Sequence, residues 1–233
     1  MKMWSGRFRE PLDPDFEKWQ RSIVFDWRLL PQEVAASKAH ASALQAAGIL
    51  TPAELSQLRT ALNAIAEAHA SDAGKTAVRE HAAAEDIHHF IEITLVERVG
   101  SLGLKLHSGR SRNEQIATNL RLYVREQIDQ TVRELGHWAA ALLDQARAVD
   151  DAVMPSYTHL QRAEPVLVAH WILAYVEMIL RDASRLADCR ARLNYCPLGS
   201  GAVAGATLTL DRSIAASELG FTAPTPNSMD ATS

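Results

Sequence analysis

The sequence has 233 residues, of which 47% are hydrophobic and 22% are charged. These values fit one large globular domain or one and a half, and they exclude a disordered chain and a small disulfide-stapled scaffold. The net charge of −4 provides no polybasic field, so we expect no binding to nucleic acid or to an anionic membrane surface. Any anionic ligand must therefore be met by local cations.

Cysteine use and hydropathy indicate a reducing, aqueous compartment. The two cysteines are Cys189 and Cys196. If one helix held both, their Cα atoms would lie about 10.5 Å apart, beyond the reach of a disulfide. We therefore expect two free thiols. The N-terminal residues lack an apolar signal region and no apolar stretch has the length of a membrane span, so we expect a soluble, cytoplasmic protein.

The composition predicts a nearly all-α fold, because 38 alanines stand against 11 glycines and 9 prolines. Residues 1–30 are the exception, since Pro11 and Pro14 interrupt helix formation and the aromatic residues there follow no period. Farther on, one predicted helix ends at Gly48 and a capping box at Thr51 begins the next. These two helices are expected to form an αα-hairpin.

Two long helices are predicted in the second half of the chain. Residues 112–150 contain no proline and carry apolar side chains three and four apart, which predicts a helix of about 55–60 Å. A second helix is predicted to open near Pro165 and to run antiparallel to the first, ending near Asn194. Such lengths are typical of a bundle that continues into partner subunits. We predict a helical N-terminal domain over 1–111 and an incomplete bundle domain over 112–233.

The densest polar segment is 107–115, where a glycine turn leads into the first long helix. Free backbone N–H groups and the positive end of the helix dipole favour an anion there. Arg110, Ser111, Arg112 and Asn113 add side-chain donors that suit a carboxylate. The segment is a candidate anion site. The alternative is a solvated turn that only caps the helix.

A second polar cluster, residues 157–162, lies in the connection between the two long helices. Its His159 follows the hydroxyl of Thr158, and a histidine in such a place can transfer protons near neutral pH. A loop histidine is more often a surface or packing residue than a catalytic one.

Two further clusters carry less information by themselves. His88 and His89 suggest a metal site, but neighbours on a helix point about 100° apart and the chain lacks the HExxH arrangement that places two ligands on one face, so we reject a metal. Ser22 and Asp26 could face a ligand together, although a simple helix cap is the favoured interpretation from the sequence alone.

Five segments together resemble one family, the argininosuccinate lyases. Residues 108–115 are similar to its GRSRNDQ segment and residues 154–165 to its MPGYTHLQRAQP segment. Shorter likenesses occur at 3–8, at the EDIH segment 85–88, and at 197–202, which resembles the PLGxGAL loop. The resemblance covers the whole chain.

This resemblance implies a helical N-terminal domain followed by a long bundle that forms a homotetramer, with each active site shared among three subunits. The implied reaction is the reversible elimination of argininosuccinate to arginine and fumarate, in arginine biosynthesis, without metal or organic cofactor. Its chemistry requires donors that hold the substrate carboxylates, together with one base and one acid on opposite faces of the breaking bond.

The resemblance also implies roles for individual residues. His159 would be the proton-transfer histidine, acting directly or by activating another group. The implied substrate-binding residues are Ser22, Asp26, His88, Arg110, Ser111, Arg112, Asn113, Thr158 and Gln161. Glu114 stands where the family usually has aspartate, and Glu164 stands where it usually has glutamine.

Members of the family continue beyond the equivalent of Ser233, through a loop that carries a catalytic serine and a lysine. We therefore expect this chain to hold part of an active site and to be inactive alone. Two alternatives stay open: another fumarate-releasing lyase, such as adenylosuccinate lyase, fumarase or aspartase, and a non-catalytic oligomerisation module or crystallin-like protein. The sequences of residues 109–113 and 158–163 argue against another fumarate-releasing lyase.

Overall fold

The computed structural model describes residues 12–232, so the resemblance at residues 3–8 lies outside the described part. The described chain divides into two compact units. The first combines residues 12–120 with 195–232, and the second comprises residues 121–194. The boundary proposed between residues 111 and 112 stays a prediction.

Helices dominate both units, as the composition predicts. The interruption of helix formation predicted for residues 1–30 is wrong at Pro14, which takes the first position of a helix, where proline is tolerated. In chain order they are α1 (Pro14–Gln20), α2 (Ile23–Asp26), α3 (Leu30–Ala46), α4 (Pro52–Ala68), α5 (Asp72–Arg79), α6 (Ile87–Val99), α7 (Ser101–Lys105), α8 (Arg112–Ala148), α9 (Val168–Leu193), α10 (Arg212–Glu218) and α11 (Ser228–Ala231), with a 3-10 turn at Trp27–Leu29. The strands are β1 (Val153–Thr158), β2 (Gln161–Leu167), β3 (Tyr195–Cys196) and β4 (Ala223–Pro224).

The core of the first unit lies among α3, α4 and α6, where Leu44, Leu62 and Leu95 are fully buried. The predicted αα-hairpin is confirmed. Gly48 follows α3 with a positive φ of 75°, and Thr51 begins α4 with the predicted capping box. This packing holds α3 beside α6 and thereby fixes the backbone that carries the polar residues described below.

The second unit contains most of α8, a β-hairpin and α9. The single long helix predicted from residue 112 is confirmed as Arg112–Ala148. Its predicted antiparallel partner is confirmed by two contacts. Arg190 forms a two-point ion pair with Asp129 at 2.5 and 2.9 Å, and Arg125 donates to Asn194 at 2.9 Å.

The predicted helix start near Pro165 is wrong, because β2 continues to Leu167 and α9 begins at Val168. Pro165 pairs with Pro155 in an antiparallel hairpin, where an edge strand tolerates proline. A proline that fits the first turn of a helix also fits an edge strand, and strand pairing decides here. The connection predicted as a loop is therefore a β-hairpin.

Both cysteines are free, as expected, with Cys189 exposed and Cys196 buried. Among the described residues, no helix is long and apolar enough to cross a membrane.

Candidate active site

A buried carboxylate organises the polar side chains of the first unit. Glu33, on α3, is 0% exposed. Its Oε2 accepts from Nδ1 of His88 at 2.7 Å and from the amide of Asn119 at 2.6 Å. Its Oε1 accepts from the hydroxyl of Ser37 at 2.8 Å and from the amide of Gln115 at 3.0 Å. These contacts join α3 to α6 and to the start of α8.

Glu33 is ionised in this environment. Burial alone would raise the pKa of its carboxyl group, but His88, Arg110 and Asn119 outweigh burial and hold that pKa well below its usual range. Nη1 of Arg110 lies 3.8 Å from Glu33 Oε1 and donates to Ser37 at 3.0 Å. A buried negative charge and a buried positive charge therefore compensate each other.

Arg110 belongs to the candidate anion site of residues 107–115, called the anion turn below, and its side chain is only 5% exposed. The turn is therefore more than a solvated cap. Gly109, with a φ of 67°, supplies the left-handed backbone conformation that directs the chain into α8. His40 also packs against this turn, because its Nε2 lies 3.0 Å from the carbonyl oxygen of Ser108.

Two side chains cap the first turn of α8. The hydroxyl of Ser111 accepts from the backbone N–H of Asn113 at 3.3 Å, while Glu114 Oε1 accepts from the N–H of Ser111 at 2.8 Å. Glu114 Oε2 also accepts from the N–H of Gly201 at 3.1 Å. A Cβ at Gly201 would meet the carbonyl oxygen of Gly205 at 2.3 Å, so this close approach requires glycine. Glu114, which stands where the family usually has aspartate, thus links residues 197–202 to the anion turn.

Asn113 is exposed, and its amide donates to the carbonyl oxygen of Ala202 at 3.2 Å. Arg112 places Nε 3.3 Å from Oδ2 of Asp86. Asp86 in turn caps α6 by accepting from the N–H of His89 at 2.6 Å. The anion turn and the start of α6 are therefore linked by an ion pair whose side chains are mostly buried.

Ser22 and Asp26 lie at the same end of α6. The hydroxyl of Ser22 donates to Asp26 Oδ2 at 2.5 Å, and Asp26 Oδ1 accepts from the N–H of Ile87 at 3.1 Å. Ser22 makes no capping hydrogen bond to α2, so a helix cap does not explain it. Burial raises the pKa of Asp26, and the nearby Asp86 raises it further.

The remaining predicted site residues belong to the second unit. Thr158 pairs with Gln161, and these residues flank the two-residue turn of the β1–β2 hairpin. His159 and Leu160 form that turn with φ values of 51° and 59°. Thr158, His159 and Gln161 are all exposed. The hairpin therefore presents the candidate proton-transfer histidine at its tip.

The structure brings Ser22, Asp26, His88 and residues 110–113 together in one unit, and sequence reasoning missed Glu33 and His40. A signal was present. Glu33, Ser37 and His40 recur at spacings of three and four on the same buried face as Leu44. Ionisable side chains on an otherwise apolar face indicate a buried polar network.

The family model described as lyase matches residues 6–233. The chain belongs to this lyase family. It is similar to the argininosuccinate lyases of Acidobacterium capsulatum, at 66% identity over 235 residues, and of Koribacter versatilis, at 60% over 233 residues. Both alignments include the whole chain but only 48% and 49% of the relatives, so the chain spans about half the length of the curated relatives it matches.

Solved structures agree with the fold. A variant of EDDS lyase with bound fumarate matches 96% of this chain and 44% of its own, with a TM-score of 0.75 and 26% identity. A fumarate lyase from Mesorhizobium, at 21% identity and a TM-score of 0.69, supports the fold alone.

His40 predicts a specific pH dependence of stability. Burial, reinforced by the charge of Arg110, lowers the pKa of His40 from 6.5 to about 3. In the unfolded chain His40 takes up a proton below about pH 6.5, whereas in the folded chain it stays neutral until the pH approaches 3. His40 therefore contributes stability that is fully present above pH 6.5 and is lost as the pH falls towards 3.

The variant His40→Gln keeps a donor for the carbonyl of Ser108 but cannot titrate. Urea unfolding of both proteins between pH 7 and pH 5 should show the free-energy advantage of the wild type shrinking as the pH falls. An advantage that stays constant over this range would contradict a neutral, buried His40.

Proposed function

We propose that this chain supplies part of the active site of an enzyme that eliminates fumarate from argininosuccinate and releases arginine. The single observation that carries the proposal is the anion turn, where a buried Arg110 and the donors of Ser111, Arg112 and Asn113 meet at the start of a helix of 37 residues. The similarity of the whole chain to argininosuccinate lyases, at up to 66% identity, supports the choice of substrate.

The proposed chemistry needs strong anion recognition. A base removes a proton from the carbon beside a substrate carboxylate, and the electron pair forms the double bond of fumarate as the carbon–nitrogen bond breaks. The departing nitrogen takes the electron pair of that bond, and an acid donates a proton to it, so the product arginine carries a guanidinium group. Negative charge accumulates on the carboxylate before the bond breaks, so fixed donors at that carboxylate lower the barrier.

We assign the carboxylate groups of the substrate to Ser111, Asn113 and Thr158, with Arg110 and Arg112 completing the positive surroundings. Ser22, Asp26, His88 and Gln161 contact the remainder of the substrate. His159 transfers a proton, directly or by activating another group. The proposed reaction requires neither a metal nor an organic cofactor, and it takes place in the cytoplasm.

We further propose that the enzyme is a homotetramer with shared active sites. Large apolar side chains stay exposed in the second unit, including Trp138 at 54%, Trp171 at 49%, Met178 at 49% and Leu180 at 56%. Long helices with such faces are suited to a bundle made by several copies. No nucleic acid or membrane is proposed as a partner.

Fumarate release tests the proposed reaction. The sample is residues 1–233 fused to the C-terminal half of the Acidobacterium capsulatum relative. With argininosuccinate, this fusion should produce fumarate, which is followed by its ultraviolet absorbance. The 233-residue chain alone should give no measurable rate, since loss of one proton-transfer partner lowers rates by about 10²–10⁴-fold. A folded fusion that releases no fumarate would contradict the reaction and favour a non-catalytic protein.

Substitutions of His159 and of Asn113 in that fusion should change different kinetic constants. His159→Asn removes the titratable nitrogen, so kcat should fall by about 10²-fold or more while KM changes little. Asn113→Ala removes a carboxylate contact made in both ground and transition states, so KM should rise more than kcat falls. His137→Asn, at a side chain that is 80% exposed, is the control and should keep wild-type kinetics. Near-normal kcat in His159→Asn would remove His159 from the proton transfer.

Self-association tests the proposed assembly. The chain should form oligomers at micromolar concentration, and the double variant Met178→Glu with Leu180→Glu should weaken them because charges then face the partner. Leu104→Glu, at a residue of α7 that is 57% exposed, is the matched control and should associate as the wild type does. Light scattering that shows a stable wild-type monomer would contradict the homotetramer.

A further inference from the structure

Glu33 is a buried carboxylate for which the proposed reaction has no direct use. It is 0% exposed, and each of its oxygens receives hydrogen bonds from a different side. Oε1 faces Ser37, Gln115 and the guanidinium of Arg110, whereas Oε2 faces His88 and Asn119. The two oxygens thus serve two distinct groups of donors.

The contact at Oε2 determines which nitrogen of His88 carries its proton. An ionised carboxylate can only accept a hydrogen bond, so Nδ1 of His88 must donate across the 2.7 Å that separates it from Glu33. In a neutral imidazole the other nitrogen, Nε2, is then the acceptor. His88 is 3% exposed and has little freedom to turn its ring.

The contact at Oε1 holds a second functional group. Arg110 lies 3.8 Å from this oxygen and donates to Ser37, which itself donates to the same oxygen. One carboxylate therefore orients a histidine in the first turn of α6 and an arginine that precedes α8. Both residues belong to the proposed substrate site.

We propose that Glu33 is a positioning residue that fixes His88 as its Nδ1–H tautomer, with Nε2 as the acceptor, and anchors Arg110 in the anion turn. Glu33 itself touches no substrate. It acts through His88 and Arg110, and the consequence for turnover rests on the proposed function.

An amide at position 33 cannot replace the carboxylate. Every partner of both oxygens is a donor, and an amide offers only one oxygen. Arg110, which is always charged, should take that oxygen, so the NH2 group of Glu33→Gln would face His88 and Asn119. Nδ1 of His88 would then become the acceptor. Asn119 Oδ1, which has no hydrogen-bond partner among the described residues, could accept from the same NH2 group. Glu33→Gln should therefore invert the tautomer of His88.

Nitrogen chemical shifts of labelled histidine report the tautomer directly. In the wild-type chain, His88 should carry its proton on Nδ1. An Nε2–H tautomer of His88 in the wild type would overturn the proposal without any variant. In Glu33→Gln the proton should move to Nε2, and retention of Nδ1–H in that variant would also overturn it.

Two double variants separate positioning from a general need for a buried charge. Glu33→Gln with Asn119→Asp restores a carboxylate on the His88 side, where the amide nitrogen of Asn119 lies 3.5 Å from Nδ1. Glu33→Gln with Gln115→Glu restores the same charge on the Arg110 side. Only the first should return the Nδ1–H tautomer. If His88 had the same tautomer in both double variants, the proposal that Glu33 fixes this tautomer would be overturned.

The kinetic arm uses the fusion described above. Glu33→Gln should lower kcat by about tenfold or more, since a wrong tautomer disables a histidine that is otherwise intact. Glu33→Gln with Asn119→Asp should recover part of kcat, and the version with Gln115→Glu should recover less. Wild-type kcat in Glu33→Gln would overturn the positioning role. A wild-type fusion without activity would count against the proposed reaction only, because the tautomer experiment decides the role of Glu33 independently.

Discussion

A carboxylate that stays ionised in a protein interior must be surrounded by donors, and Glu33 imposes this requirement on four segments of the first unit. Its partners come from α3, α6, α8 and the turn before α8. Removing one partner from a buried ion pair typically destabilises a protein by about 3–5 kcal/mol. The segments are therefore held in one arrangement, because other arrangements would leave a buried charge unpaired.

This constraint also places the chemistry. His88 lies in the first turn of α6, which Asp86 caps, and Asp86 pairs with Arg112 at the start of α8. Arg110 and Arg112, which are proposed to complete the positive surroundings of the substrate carboxylates, are therefore held by the same network that stabilises the unit. The network residues of the first unit are mostly buried, whereas His159 is exposed at the tip of the hairpin in the second unit. An exposed histidine is free to meet groups that another copy of the chain supplies, in keeping with the proposed shared sites.

Different parts of this structure were predictable to different degrees from the sequence. The 37-residue helix was predictable because a long apolar period without proline has one simple solution. The hairpin was not, because His159 and Leu160 adopt positive φ values that local signals usually associate with Asn-Gly. Pro165 added a helix-start signal that strand pairing overrode. The polar motifs indicated an anion turn, but the partners of Arg110 come from α3, and no local spacing reveals a contact between residues 73 positions apart.

The most direct test of this network is a carbon-detected NMR titration of the Glu33 side-chain carboxyl group. His88, Arg110 and Asn119 hold the pKa of that group well below its usual range. The Glu33 signal should therefore stay at the position of a carboxylate at every pH at which the chain remains folded, while exposed glutamates titrate. A Glu33 signal that moves with a midpoint at or above 4.5, the usual value for glutamate, would show that the carboxyl group is readily protonated in the folded chain. It would contradict an ionised carboxylate as the organising centre of the site.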